Sequence, residues 1–203
     1  MQEILNVLIT DDEPGMRLAV SRVLRDYRFT LAEVGSEIAF AVSEAETGEQ
    51  ALDLLRQTPV DILLLDCRLP GRSGLDVLTE LSEHPRDLIT VMITAYASIE
   101  AAVTATKKGA FDFLAKPFTP DELKNVIQKA ARQLILQRQT RRLLEEKNQV
   151  RFQFISVLAH ELKAPLAAVE GFLKIIRDRT AGNDEQIYRQ MIDRSLIRLD
   201  GMR

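Results

Sequence analysis

Five side chains able to take part in one reaction fall at the ends of short apolar runs. Asp11 and Asp12 follow Ile4 to Ile9, and Asp66 follows Asp61 to Leu65. Thr94 closes Leu88 to Thr94, and Lys116-Pro117 comes just after Ala110 to Leu114. If these runs are parallel strands, their carboxyl ends share one edge, where such sheets bind ligands. Three carboxylates meeting there repel one another and raise one another's pKa. A divalent cation relieves that, and an all-oxygen donor set with few protein ligands suits Mg²⁺. Lys116 can pair with a carboxylate or a phosphoryl oxygen, and the Thr94 hydroxyl can donate to a transferred phosphoryl group. The chemistry that uses all five is phosphoryl transfer to a carboxylate, with Asp66 as the in-line nucleophile. A single Asp at a strand end is ordinarily a turn or cap residue. Five such groups, contributed in order by four of the runs, are much harder to assign to capping.

A second candidate lies in Phe154 to Leu166, FISVLAHELKAPL. The apolar positions around His160 repeat at helical spacing and would face a core, which turns His160 outward. A lone exposed histidine is usually a surface residue. Glu161 beside it can accept an imidazole N–H and leave the other nitrogen more nucleophilic. Pro165, five residues on, removes a backbone donor from a helix interior and would kink it. Two other residues invite a bland reading. Cys67 follows Asp66 without a base beside it and reads as a core or loop thiol. His84, before Pro85, reads as a surface residue.

The elements needed to position these groups are legible as a pattern. Apolar runs at Ile4 to Ile9, Ile38 to Val42, Asp61 to Leu65, Leu88 to Thr94 and Ala110 to Leu114 alternate with amphipathic stretches. The latter are Gly15 to Tyr27, Gly48 to Gln57, Gly74 to Glu83 and Ser98 to Lys108. Alternation of this kind predicts βαβ units in a doubly wound, five-stranded parallel sheet of the α/β class, with helices on both faces. Arg28 to Glu37 is longer than an ordinary αβ connection and has no assigned place. After Pro120 no strand pattern returns. Thr119, Pro120 and Glu122 form a helix start, and one very long helix runs from Asp121 to about Arg179, broken only at Pro165 and Gly171. Between Lys129 and Arg151 seven basic residues face two acidic ones, which reads as a solvated face. Leu134, Leu144, Arg151, Ile155, Leu158 and Leu162 follow heptad steps loosely, so coiled-coil pairing of the connecting segment is an open possibility. After a turn at Thr180 to Glu185, residues Tyr188, Met191, Ile192, Ser195, Leu199 and Met202 line one face of a second helix. Two helices with one apolar stripe each cannot close a core alone. A two-fold dimer would complete a four-helix bundle. The expected domains are 1–120, a connecting helix 121–149, and a helical hairpin 150–203.

Composition narrows the partners. The chain has 203 residues, 46% hydrophobic and 28% charged, with net charge −3. No basic field draws in nucleic acid, and aromatics at 5% argue against a base-stacking surface. No apolar run reaches the length of a membrane span, and the N-terminus lacks the features of a signal peptide. A single cysteine rules out an internal disulfide or zinc cluster. The expectation is a cytoplasmic protein that binds neither nucleic acid nor membrane.

The segments LITDDEPGMR, DILLLDCRLPGRSGLDVL, VMITAYAS and KKGAFDFLAKPFTPDEL closely resemble response-regulator receiver domains, most of all those of nitrogen-regulation-type regulators. The resemblance covers about Glu3 to Ile127. It implies phosphorylation at Asp66, with Asp12, Asp66 and the carbonyl of Arg68 on Mg²⁺ and Asp11 acting through water. It further implies Thr94, Tyr96 and Lys116 as switch residues and a cis Lys116-Pro117 bond. HELKAPL resembles the phospho-acceptor box of the dimerisation and histidine-phosphotransfer domain of sensor histidine kinases, over roughly Val150 to Arg203. That implies phosphorylation of His160 with Glu161 as general base. The family often has Thr or Asn before the proline, where it positions a water that dephosphorylates a partner receiver. Ala164 stands there instead and cannot hydrogen-bond, so weak phosphatase activity is expected.

An Asn-bearing ATP-binding helix with glycine-rich boxes, a P-loop and a helix-turn-helix are all missing from the sequence. The expected identity is therefore a fragment of a hybrid histidine kinase, a phosphotransferase that meets ATP only through an absent catalytic domain. Its expected partners are a second copy and a cognate histidine kinase or receiver protein. Two other readings stay open: a response regulator whose non-catalytic helical tail dimerises, and a transcriptional activator cut short.

Overall fold

The computed structural model describes residues 2–33, 35–84, 86–95, 105–178, 182 and 185–201, with the side chain of residue 164 left aside. Two compact units divide it, Met1–Gln139 and Thr140–Arg203.

The first unit holds a six-stranded sheet. Its strands are β1 (Gln2–Thr10), β2 (Phe29–Leu31), β3 (Ser36–Ala45), β4 (Ile62–Asp66), β5 (Ile89–Thr94) and β6 (Asp112–Ala115). The order across the sheet is β2-β3-β1-β4-β5-β6. Five of these strands are parallel neighbours, in the doubly wound arrangement that the alternation predicts. The sixth is new: β2 pairs antiparallel with β3, Phe29 opposite Ile38. The unplaced stretch from Arg28 to Glu37 is therefore mostly an edge hairpin. Three residues are too few to show a period, which is why no alternation marked it. Tyr27 and Phe29 stack on Phe40 at centroid distances of 6.1 and 6.3 Å.

Side chains on the central strands alternate between two cores, as a pleated sheet covered on both faces requires. Ile62 and Leu64 of β4 point into one, together with Leu5, Val7 and Ile9 of β1 and Ile89, Val91 and Ile93 of β5. Leu63 and Leu65 point into the other, together with Leu8 and Met92. Helix α1 (Pro14–Asp26) covers the first core through Val20 and Leu24. Helices α2 (Gly48–Gln57) and α3 (Gly74–Glu83) cover the second. Most of the helix expected over Ser98 to Lys108 lies outside the described residues, although 105–107 are helical.

Helix α4 spans Pro120–Asp178. Its start is a reciprocal capping box: the Glu122 amide donates to the Thr119 hydroxyl at 3.3 Å, and Thr119 N–H donates to Glu122 Oε2 at 2.7 Å. Leu123, Ile127, Ala130, Ala131, Leu134 and Ile135 join the first core. The expected breaks at Pro165 and Gly171 do not occur, since the helix runs through both. One missing amide donor removes one bond and leaves the flanking turns intact. In the second unit, helix α5 (Glu185–Asp200) follows. Arg198 sits over the Phe172 ring at 5.8 Å, and the Ser195 hydroxyl bonds back to the Met191 carbonyl. Among the described residues of this unit, Val169 and Ser195 are buried, while Phe152, Phe154, Val157 and Leu173 are more than half exposed.

Candidate acidic site at the strand ends

The parallel register delivers the candidate residues to one edge. Thr10 pairs with Leu65, so the residues after β1 and the end of β4 lie side by side. Asp66 pairs with Ile93, one residue before Thr94. Carboxylate oxygens of Asp11, Asp12 and Asp66 all lie within 4.8 Å of one another. Asp11 and Asp66 are buried and Asp12 is exposed. Three hard oxygen donors this close, one of them open to solvent, fit a small divalent cation that keeps part of its water shell.

Lys116 enters from the loop after β6. Its amide donates to the Thr94 carbonyl at 2.7 Å, and the Lys116-Pro117 peptide is cis, as the motif implies. Its ammonium lies 2.5 Å from Asp66 Oδ2 and 2.7 Å from Asp11 Oδ2, with Glu13 Oε1 at 3.7 Å. Burial works to lower the Lys116 pKa, but hydrogen bonds to Asp11 and Asp66 outweigh it and the pKa is raised. Burial also dominates at Asp11, whose carboxyl is raised above its ordinary value despite Lys116 and the Glu13 amide. The second oxygen of Asp66 accepts from the Arg68 amide at 2.9 Å. Thr94 is buried at the end of β5. Tyr96 lies outside the described residues. Burial pushes the Cys67 thiol up, with a Thr94 hydrogen bond opposing it, which keeps the thiol protonated and agrees with its bland reading.

Two residues approach this site that lie within the quoted segments but have no role assigned from them. Gly74 begins α3 directly behind the acceptor: a Cβ there would come within 2.0 Å of the Asp66 carbonyl oxygen. Arg17 lies on the buried stripe of α1 with Val20, Ser21 and Leu24, and its guanidinium reaches the main-chain oxygens of Asp11 and Asp12. The available signal was a cation at a buried i, i+3, i+4, i+7 position, a place where unpaired charge is costly.

In the second unit, His160 and Glu161 are both exposed on α4. Ser156, Val157, Ala159 and Lys163 share the shallow surface around them.

Residues 7–128 match the response regulator receiver domain, well over half of the chain. The chain belongs to the response regulator receiver family. Residues 150–202 match the His Kinase A (phospho-acceptor) domain. A receiver domain followed by a phospho-acceptor domain makes this a protein of two-component signal transduction. Among curated relatives, the C4-dicarboxylate transport transcriptional regulatory protein DctD of Pseudomonas aeruginosa is 32% identical, over 96% of this chain and 41% of its own length. The alginate biosynthesis transcriptional regulatory protein AlgB of the same species is 31% identical, over 88% of this chain and 38% of its own. The chain thus spans about two fifths or less of these relatives. A signal receiver domain from Vibrio parahaemolyticus superposes with a TM-score of 0.61 at 25% identity, covering 68% of this chain and 98% of that one. NtrX from Brucella abortus gives 0.58 at 29%, covering 70% and 30%. No described helix is long and apolar enough to cross a membrane.

Proposed function

We propose that Asp66 of the receiver domain accepts a phosphoryl group and that His160 of the second unit is the phosphoryl-carrying histidine of a histidine-kinase dimer. The supporting observation is the closeness of Asp11, Asp12 and Asp66 with Lys116 among them. Lys116 holds one oxygen of Asp66 and the Arg68 amide holds the other, which fixes the nucleophile for in-line attack. An Asp66 oxygen forms the new O–P bond while the donor's bond to phosphorus breaks, and its leaving group carries the displaced electron pair. A Mg²⁺ ion held by Asp12, Asp66 and the Arg68 carbonyl, with Asp11 behind water, would supply charge neutralisation for the transferring oxygens. Lys116 then exchanges its carboxylate contact for a phosphoryl oxygen, and the Thr94 hydroxyl donates to another. Tyr96 acts after Thr94 as a switch residue.

Glu161 acts as general base for His160, and the exposed apolar stripes of α4 and α5 pair with a second copy to complete a four-helix bundle. The phosphoryl donor or acceptor outside the chain is a histidine kinase or a receiver protein. ATP enters only through a catalytic domain of that kind.

The first test is exposure of the chain to a small phosphodonor with Mg²⁺, read by intact mass. Gain of one phosphoryl group, lost in Asp66→Ala and on chelation of Mg²⁺, supports the reading. Unchanged labelling of Asp66→Ala sinks it. The curated relatives are transcriptional regulators, which favours a second reading: a response regulator whose helical tail only dimerises. A His160→Ala chain that signals like the wild type would support that one.

A further inference from the structure

We infer that Arg17 is a positioning residue for the cation site: it holds the main chain of Asp11 and Asp12 so that both carboxylates face Asp66. This rests on the proposed Mg²⁺ site and goes beyond its ligand set. Arg17 is only 7% exposed, an uncommon burial for a guanidinium. Nη1 donates to the Asp11 carbonyl at 2.8 Å and to the Asp12 carbonyl at 3.3 Å. Nη2 donates to Glu46 Oε1 at 2.7 Å, and Nε lies 3.6 Å from Glu44 Oε2. Glu44 belongs to the end of β3 and Glu46 follows it, with the Glu46 amide held by Gln50 of α2 at 2.8 Å.

The arginine therefore joins three parts of the fold: helix α1, the exit of β1 and the exit of β3. The same two exits meet directly where the Asp11 amide donates to the Ala45 carbonyl at 3.2 Å. Two acidic side chains in succession repel each other and the Asp66 carboxylate, so the loop between β1 and α1 has reason to open when no cation is bound. Arg17 opposes that from below without touching any of the three carboxylates. It satisfies two main-chain oxygens, one of them on a buried residue, which would otherwise lose water without a donor in return. The planar fork lets one nitrogen hold the carbonyls while another is anchored on Glu46. A lysine ammonium, a single point of charge on a flexible stem, cannot hold that geometry. Groups one step behind a metal's ligands typically set affinity by about tenfold or more.

The test is calorimetric titration of Mg²⁺ into the full chain, paired with urea unfolding of the same samples without metal. Wild type should bind one Mg²⁺ per chain. Arg17→Gln and Arg17→Lys should each bind it about tenfold more weakly, and Glu46→Gln, which removes the anchor but leaves the carbonyl contacts, less severely weakened. At saturating Mg²⁺ the phosphorylation rate of Arg17→Gln should return to within about twofold of wild type, because the reacting groups themselves are intact. A purely structural arginine predicts a different outcome: lower urea stability with Mg²⁺ affinity unchanged in the folded variants, which overturns the proposal. Should Arg17→Gln not fold, Glu46→Gln decides, and unchanged affinity there also overturns it. Failure of the wild type itself to bind Mg²⁺ would instead remove the metal site on which both readings stand.

Discussion

Asp11 carries the conflict of this site in one side chain. Burial raises its pKa above the ordinary 3.8, although Lys116 and the Glu13 amide work to lower it. The folded chain then holds that proton more tightly than the unfolded one. Its contribution to stability is present below pH 3.8 and is lost as pH rises through the raised folded value. Asp11→Asn removes the penalty, so the metal-free variant should be more stable than wild type at neutral pH by on the order of 1 kcal/mol. The gain should grow with pH across that window in urea titrations and be accompanied by loss of Mg²⁺ binding. Gly74 makes the opposite case. Its Cβ-less backbone lets α3 start against the Asp66 carbonyl, so Gly74→Ala must move one or the other. The expected cost is about 1–3 kcal/mol in urea unfolding, with slower phosphorylation at Asp66. The acids, Thr94 and Lys116 were legible in the sequence because each terminates a strand. Gly74 was not, because its role depends on a carbonyl oxygen, and main-chain atoms leave no mark on residue type; Arg17 left only the mark of a cation on the apolar stripe of α1.

At the scale of elements, the first unit holds α4 well past its capping box. Leu134 and Ile135 are buried, and Arg138 reaches back to the opposite edge of the sheet from the acidic site. It donates to Asp61 Oδ1 at 2.6 Å and to Asp87 Oδ2 at 3.2 Å. Asp61 immediately precedes β4, and Asp87 lies just before β5. Arg138→Ala should therefore cost about 1.5–3 kcal/mol and speed amide exchange over residues 129–138, without altering Mg²⁺ affinity. Elements with a strong pattern of their own were readable in advance: the continuous buried run of β4, the amphipathic α2, and the capped start of α4. The short β2 was not, because its assignment depends on pairing with β3 and on the Tyr27–Phe29–Phe40 stack. The expected breaks at Pro165 and Gly171 failed for the converse reason. Local propensity is a weak term beside the hydrogen bonds of a helix of 59 residues.

For the whole molecule, a receiver domain and a phospho-acceptor domain share one chain, and the groups proposed to carry the phosphoryl are an acidic pocket at strand ends and an exposed histidine on a helix. The first was nearly complete in the sequence. The second rested on HELKAPL, since an exposed histidine on a helix is ordinarily a surface residue. Ala164, which has no hydrogen-bonding group, bears on the direction of flow. Ala164→Thr should speed dephosphorylation of a phosphorylated receiver partner, followed as loss of label with time, and an unchanged rate would show that this position does not limit the reaction. The most direct test of the account is phosphorylation of His160 in trans. The Asp66→Ala chain is mixed with labelled ATP and the ATP-binding domain of a histidine kinase, proven active on its own phospho-acceptor domain. The account predicts an acid-labile, base-stable label that disappears in His160→Ala and becomes partly base-labile when Asp66 is restored. No label on a folded, dimeric chain would contradict it and leave the receiver with a helical tail that only dimerises.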